Sequence, residues 1–263
     1  MTRYEESLFT IRFVGPKLDT VGVGIYDLGI TLVSFQRLIH KAYLSKTDRS
    51  QKGAFPKKKN RQELALQIGE RRRKSDGFGL IPIVTDPAFL HTLKYCADAV
   101  FSGVVGYYSG KVLDKLRDDN DEKNKIFIGS IYSEVTNVIS RIDANAAIHG
   151  IEINAPSLKN AHPLLFNTVH KKYLESLKDE YFLGESQEII GDVFKLYPNS
   201  YIVEIRTSKR RKCKIFLELD QFDLIRYAEP DKKKVKFTGR PRYALGVETK
   251  SITSFEAYPI EFV

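Results

Sequence analysis

Residues 200–219 read SYIVEIRTSKRRKCKIFLEL. Two β-type runs, Ser200–Thr207 and Cys213–Leu219, flank the polar, basic segment Thr207–Lys212. Both runs are rich in Val, Ile and Phe, the residue types that favour strands. A short polar segment between two such runs marks a hairpin. The stretch therefore predicts two strands joined by a tip that carries Lys209, Arg210, Arg211 and Lys212.

The same pattern recurs on both sides. Ile189–Tyr197 precedes it, and Val235–Thr238, Tyr243–Glu248, Ile252–Ala257 and Ile260–Val263 follow. One helical turn, Asp220–Tyr227, interrupts the series, with Asp220 as its expected cap. Short strands at this spacing predict a small SH3-like or OB-like barrel over residues 187–263. The aromatics Phe194, Tyr197, Tyr201, Phe216, Tyr227, Phe237 and Tyr243 stack bases if exposed and fill the barrel if buried.

Upstream the periods differ. Phe9, Ile11 and Phe13 alternate as a strand, which Gly15-Pro16 ends. From Tyr26 to Leu44, apolar Leu28, Leu32, Phe35, Ile39 and Tyr43 recur every three or four residues, as on one helix face. Residues 45–62 are polar and basic and read as a loop. Leu64–Ile68 and Phe78–Val84, around Asp76-Gly77, predict a hairpin. Asp86 and Pro87 start a helix expected to run to Arg117. Along it Ala99, Gly103, Gly106 and Gly110 form a small-residue stripe that would admit a second backbone, either from a partner helix or from a second copy. Ile126–Ile128 reads as a strand, Ser133–Ile148 as a helix, and Pro163–Tyr181 as a connector helix. The fold expected is α+β: an N-terminal α/β module with a glycine-striped helix (1–160), a connector (161–186) and the small β-barrel.

Composition limits the function. The 263 residues are 42% hydrophobic, with 16 Phe and 14 Tyr, which is enough for a packed core. Two cysteines exclude a disulfide scaffold and a four-cysteine zinc site. The opening MTRYEESLFT lacks an apolar signal region, so a cytoplasmic location is expected. The +9 net charge is uneven. Residues 46–74 hold 11 Lys/Arg against 3 Asp/Glu, and residues 206–242 hold 13 against 5. Each block is +8 inside an otherwise acidic chain. The dense centres are Lys57, Lys58, Lys59 and Arg61; Arg71, Arg72, Arg73 and Lys74; Lys209–Lys212; and Lys232, Lys233 and Lys234. Phosphates suit such clusters, because each neutralised phosphate releases counterions and arginine matches its geometry.

Catalytic grammar is sparse. His40, His91, His149, His162 and His170 form no metal-ligand spacing with each other or with Cys96 and Cys213. Gly106–Val112 imitates a phosphate loop but has one residue too few between its glycines and lacks the hydroxyl. Asp118–Glu122 fails as a calcium loop, since Lys123 stands where glycine is needed. Asp192 with Glu204 is the best pair for a Mg²⁺-dependent nuclease. No cofactor is expected.

Several stretches carry a resemblance. They are Arg12–Gly15 with Leu18–Thr20, Ile25–Gly29, Ser75–Leu80, Ser102–Tyr108, and Gly239–Arg242 with Gly246–Thr249. Together they resemble a bacterial family built of two adjacent domains of unknown function. That resemblance implies an α/β module followed by a small barrel, in neighbourhoods of mobile elements and antiviral defence genes. It implies no catalytic residues. The expected function is a non-enzymatic protein that contacts nucleic-acid phosphates through the two basic blocks, as a sensor or adaptor. The alternative of another class is a membrane-acting effector using the Ala99–Gly110 helix.

Overall fold

A computed structural model describes residues 7–16, 18, 22–50, 54–71, 77–84, 86–143, 145, 147–156, 162–208, 210–228, 234–246 and 252–262. The chain divides into two compact units, 1–180 with 245–248 and 181–244 with 249–263.

The first unit is built on an antiparallel sheet. Its strands are β1 (Phe9–Val14), β2 (Leu66–Arg71), β3 (Gly77–Pro82), β4 (Gly150–Asn154) and β5 (Leu164–Phe166), in the order β2-β3-β1-β4-β5. β1 is central, and Phe9, Ile11 and Phe13 are buried as their alternation requires. The expected hairpin forms, with Leu66 opposite Pro82 and Ile68 opposite Leu80.

Helix α1 (Ile25–Lys46) anchors to the sheet where Phe35 meets Phe9 edge-to-face at 5.2 Å. Gln36 ties the same helix to β2, since its amide accepts from Leu66 N at 2.9 Å and donates to Leu64 O at 3.0 Å. Part of the expected loop is helical: Lys58–Glu63 form α2, and residues 45 and 46 still belong to α1.

Helix α3 spans Pro87–Tyr108, with Asp86 accepting from Ala88 N as expected of the cap. It stops well short of Arg117. Gly110 has φ +148° and Lys111 φ +57°, which turn the chain into a separate helix, α4 (Val112–Asp118). The Tyr173 hydroxyl accepts from Val112 N at 2.7 Å and holds that turn. Ile126–Ile128 is not a strand but lies within α5 (Glu122–Ser130), because the Asp121 side chain accepts from Lys123 N and Asn124 N. Capping overrides the β-branched pair. Helix α6 (Tyr132–Ile139) is shorter than expected. Residues 163–181 begin as β5, and only then does the capping box of Asn167 and His170 start α7 (Thr168–Ser176), which lies in the first unit.

α1 packs against α3, α5 and α6. Lys41 on α1 and Glu134 on α6, both buried, form an ion pair at 2.5 Å, and Lys41 also donates to Ser130 O at 2.6 Å.

The second unit is a barrel. Its strands are β6 (Tyr181–Leu183), β7 (Gln187–Tyr197), β8 (Ile202–Thr207), β9 (Lys212–Phe216), β10 (Lys234–Ala244) and β11 (Ser254–Phe262), with α8 (Leu219–Arg226) between β9 and β10. β7, β8 and β9 form an antiparallel meander. β11 pairs in parallel with β9 and antiparallel with β10, and β10 returns to pair with β7. Five strands therefore close, with β6 added at one end of β10. This order, with a helix after the third strand, is that of an OB-like barrel rather than an SH3-like one.

The break expected between Val235–Thr238 and Tyr243–Glu248 at Gly239 and Pro241 does not occur, since both residues lie inside β10; the strand ends at Ala244, Leu245 and Gly246 form a turn, and Val247 and Glu248 lie outside the described residues. A Cβ on Gly239 would stand 2.0 Å from Glu256 O, so glycine lets β11 approach. The register shifts between Phe237 and Gly239, and this bulge bends β10. β11 likewise runs unbroken from Ser254 to Phe262 across the gap expected between Ile252–Ala257 and Ile260–Val263; Val263 lies outside the described residues. The cap of α8 falls at Glu218 instead of Asp220. The core is Val203, Ile205, Cys213, Ile215, Phe222, Val235, Phe237 and Phe255 with their neighbours.

A candidate nucleic-acid interface on the barrel

Strand alternation sorts the barrel side chains. On β9, Cys213 and Ile215 point inward, so Lys212, Lys214 and Phe216 face out. On β8, Val203 and Ile205 are buried, leaving Ile202, Glu204 and Arg206 outward. The register sets these in rows. Asp192, Arg206 and Lys212 form one row; Lys195, Glu204 and Lys214 the next; Tyr197, Ile202 and Phe216 the last. The first and last rows are four residues apart, roughly 13 Å along the strands.

A bulge between Val193 and Lys195 turns Phe194 onto this face, where 41% of it is exposed. Arg206 and Lys212 each lie 5.2 Å from its ring centroid. Lys195 Nζ sits 4.6 Å from the Tyr197 ring, and the Tyr197 hydroxyl donates to Glu204 Oε2 at 2.9 Å. The guanidinium carbon of Arg242 on β10 lies over two rings, 3.7 Å from the Tyr181 centroid and 3.9 Å from the Phe216 centroid. The surface thus interleaves flat rings with cations, an arrangement that can stack bases while holding phosphates.

The expected tip is present. Thr207 N donates to Arg211 O and Arg210 N to Thr207 O, and Arg210 takes φ +57°. Arg210, Arg211 and Lys212 are exposed; Lys209 lies outside the described residues. Lys234 is exposed at the start of β10, opposite Asp192, whereas Lys232 and Lys233 lie outside the described residues. Of the seven aromatics named above, Phe237 and Tyr243 are core residues, while Phe194, Tyr201 and Tyr227 are exposed and Tyr197 and Phe216 half-buried. Lys195, Lys214, Tyr181 and Arg242 are additions. Lys214 was legible in the alternation of β9, but Arg242 meets Phe216 only through the closure of the barrel.

The first basic block belongs to the first unit. Lys57, Lys58, Lys59 and Arg61 are exposed on and beside α2, and none makes an ion pair with a described residue. Arg71 ends β2; Arg72, Arg73 and Lys74 lie outside the described residues. Near α2, burial and the Arg61 charge lower the pKa of His40 to about 4.

Of the small-residue stripe, Ala99, Gly103 and Gly106 lie within α3. Gly103 is buried, and a Cβ there would stand 2.7 Å from Ile128 Cδ1, so its closeness serves α5 of the same chain. Gly106 is exposed with open space beside it, and Gly110 is past the helix end. Ala99 lines a cleft of about 260 Å³ with Lys46, Tyr95 and Phe127. No described helix is long and apolar enough to cross a membrane.

The two carboxylates named for a nuclease stand in adjacent rows of the register and not opposite each other, and Glu204 is paired with Lys212 at 3.8 Å. Asp192 stands opposite Arg206, while Glu204 stands between Lys195 and Lys214 and accepts from Tyr197. Among the described residues no cluster of His, Cys, Asp and Glu could hold a metal ion. Burial pushes both the Cys96 and the Cys213 thiol up to about 12, which keeps them protonated.

No family model and no curated protein matches the sequence. Among solved structures there is a likeness to U. maydis replication protein A bound to ssDNA, with 18% identity and a TM-score of 0.20. It covers 31% of this chain and 61% of that one, so the chain spans about three fifths of its length.

Proposed function

We propose that the barrel binds single-stranded nucleic acid across the outer face of β7, β8 and β9. The observation that carries this reading is Phe194, half-exposed on a strand face with Arg206 and Lys212 over its ring. A base stacks on the ring while the two cations hold the flanking phosphates. A duplex hides the base faces that such a ring needs, so an unpaired strand is the better substrate. Arg210 and Arg211 extend the positive surface at the hairpin tip. The reading contains no catalytic step. It is compatible with a sensor or adaptor role in bacterial defence, which rests on the resemblance alone.

Fluorescence anisotropy of a labelled 12-mer of thymidylate, compared with a 12-bp duplex, tests it. The single strand binds more tightly than the duplex, and Phe194→Ala weakens it about tenfold. Equal affinity for both forms, unchanged by Phe194→Ala, overturns the reading.

A further inference from the structure

Helix α8 has a covered side and an open one. Phe222 and Ile225 pack into the barrel core and fix the helix there. Asp220, Leu224 and Tyr227 follow one another at spacings of four and three residues, so they share the opposite stripe. Leu224 is 57% exposed, Tyr227 73%, and Leu219 beside them 48%. Glu218, Asp220 and Asp223 border these apolar side chains, against the single cation Arg226. Among the described residues none of the three carboxylates makes an ion pair. Single apolar residues on a surface are ordinary, but three on one short helix form a patch suited to a partner.

The complementary surface lies on the first unit. Pro56 is buried, and Asn60 on α2 donates to the Tyr43 hydroxyl of α1 at 2.6 Å, so this segment is seated firmly on the fold. Outward it presents Phe55, 61% exposed, followed by the exposed cations Lys57, Lys58, Lys59 and Arg61. An aromatic ring with four cations beside it complements an apolar stripe with three carboxylates beside it, in both apolarity and charge. Neither surface takes part in the strand-binding face of β7, β8 and β9.

We propose that α8 of one copy docks on the Phe55–Arg61 segment of a second copy. Phe55 packs against Leu224 and Tyr227, and the lysines face Asp220 and Asp223. Unlike surfaces meet, so the contact is heterologous. It centres on far fewer than the roughly 20–30 residues a side of a standard interface, so the association is weak and reversible. The inference goes beyond the single-strand reading and does not rest on it.

Sedimentation velocity of the full chain, without nucleic acid and across a range of protein concentrations, tests it. Wild-type protein self-associates in about 50 mM salt, and about 500 mM salt weakens the association about tenfold. Asp220→Lys with Asp223→Lys abolishes self-association. Lys57→Glu with Lys58→Glu and Lys59→Glu does the same, because each variant sets like charges against each other. All these side chains lie on the surface, and both variants keep the wild-type melting temperature. Mixing the two variants restores association, since each α8 then finds a segment of opposite charge on the other variant. Leu224→Ala weakens wild-type association at both salt concentrations.

Wild-type protein that stays monomeric at every concentration overturns the inference. So does association that either charge-reversed variant retains, which places the contact on other surfaces. A mixture of the two folded variants that remains monomeric overturns it as well, because the two surfaces then do not meet each other.

Discussion

Arg206 lies over the ring of Phe194, its guanidinium carbon 5.2 Å from the ring centroid. The two residues come from different strands and meet because the β7 bulge swings Phe194 out of the barrel wall. Lys212 reaches the same ring from a third strand. The ring and its two cations should therefore separate by mutation into a stacking part and an ionic part.

Arg206→Gln with Lys212→Gln should remove the ionic part. Affinity for single strands falls, and the slope of log K against log salt becomes shallower by about 1.4, near 0.7 for each phosphate no longer neutralised. Phe194→Ala should instead lower affinity with little change of slope. Titrations from 50 to 300 mM salt distinguish the two.

Arg210 occupies a left-handed turn position, φ +57°, where a side chain carries a cost. Arg210→Gly should leave the barrel as stable as wild type or more stable by up to about 1 kcal/mol. It should nevertheless weaken nucleic-acid binding and reduce the salt slope by about 0.7. Thermal melting beside anisotropy checks both halves. A loss of stability would show that the Arg210 side chain supports the turn.

The buried Lys41–Glu134 pair links α1 to α6. Glu134→Gln removes one carboxylate from the buried Lys41 ammonium and should cost about 3–5 kcal/mol by urea unfolding. Replacing both residues by Met and Leu should cost much less, because the buried ammonium is removed together with the carboxylate. Equal losses in the two variants would argue that the pair itself, and not the desolvation of one partner, stabilises the packing.

His40 gives a pH signature. Its pKa falls from the ordinary value near 6.5 to about 4 in the fold, because burial, then Arg61, disfavour the charged ring. The unfolded chain takes up the proton first. The stabilisation is complete above pH 6.5 and is lost as pH falls from 6.5 toward 4. His40→Gln should flatten the melting temperature across that window relative to wild type.

Much of the architecture was legible in the chain. The alternation of Phe9, Ile11 and Phe13, the cap Asp86 with Pro87, and the hairpin around residues 207–212 all depend on neighbours close in sequence. They appear in the structure where local physics put them. The failures also have local causes. Gly110 and Lys111 hide a turn inside an apparently helical period, while Asp121 starts a helix in what reads as a strand. Gly239 and Pro241 look like a strand break, yet they are the bend that lets β10 serve two sides of the barrel.

The basic clusters and the supply of aromatic rings were therefore set by sequence alone, since charge and side-chain type need no fold. Which rings face out was not. Phe194 and Phe237 sit in similar β-type runs, but one is 41% exposed and the other fully buried. A bulge and the closure of β10 on β7 and β11 make that difference. Likewise Tyr181, Phe216 and Arg242 become one stack only when strands far apart in the chain pair, and no local period encodes such a meeting.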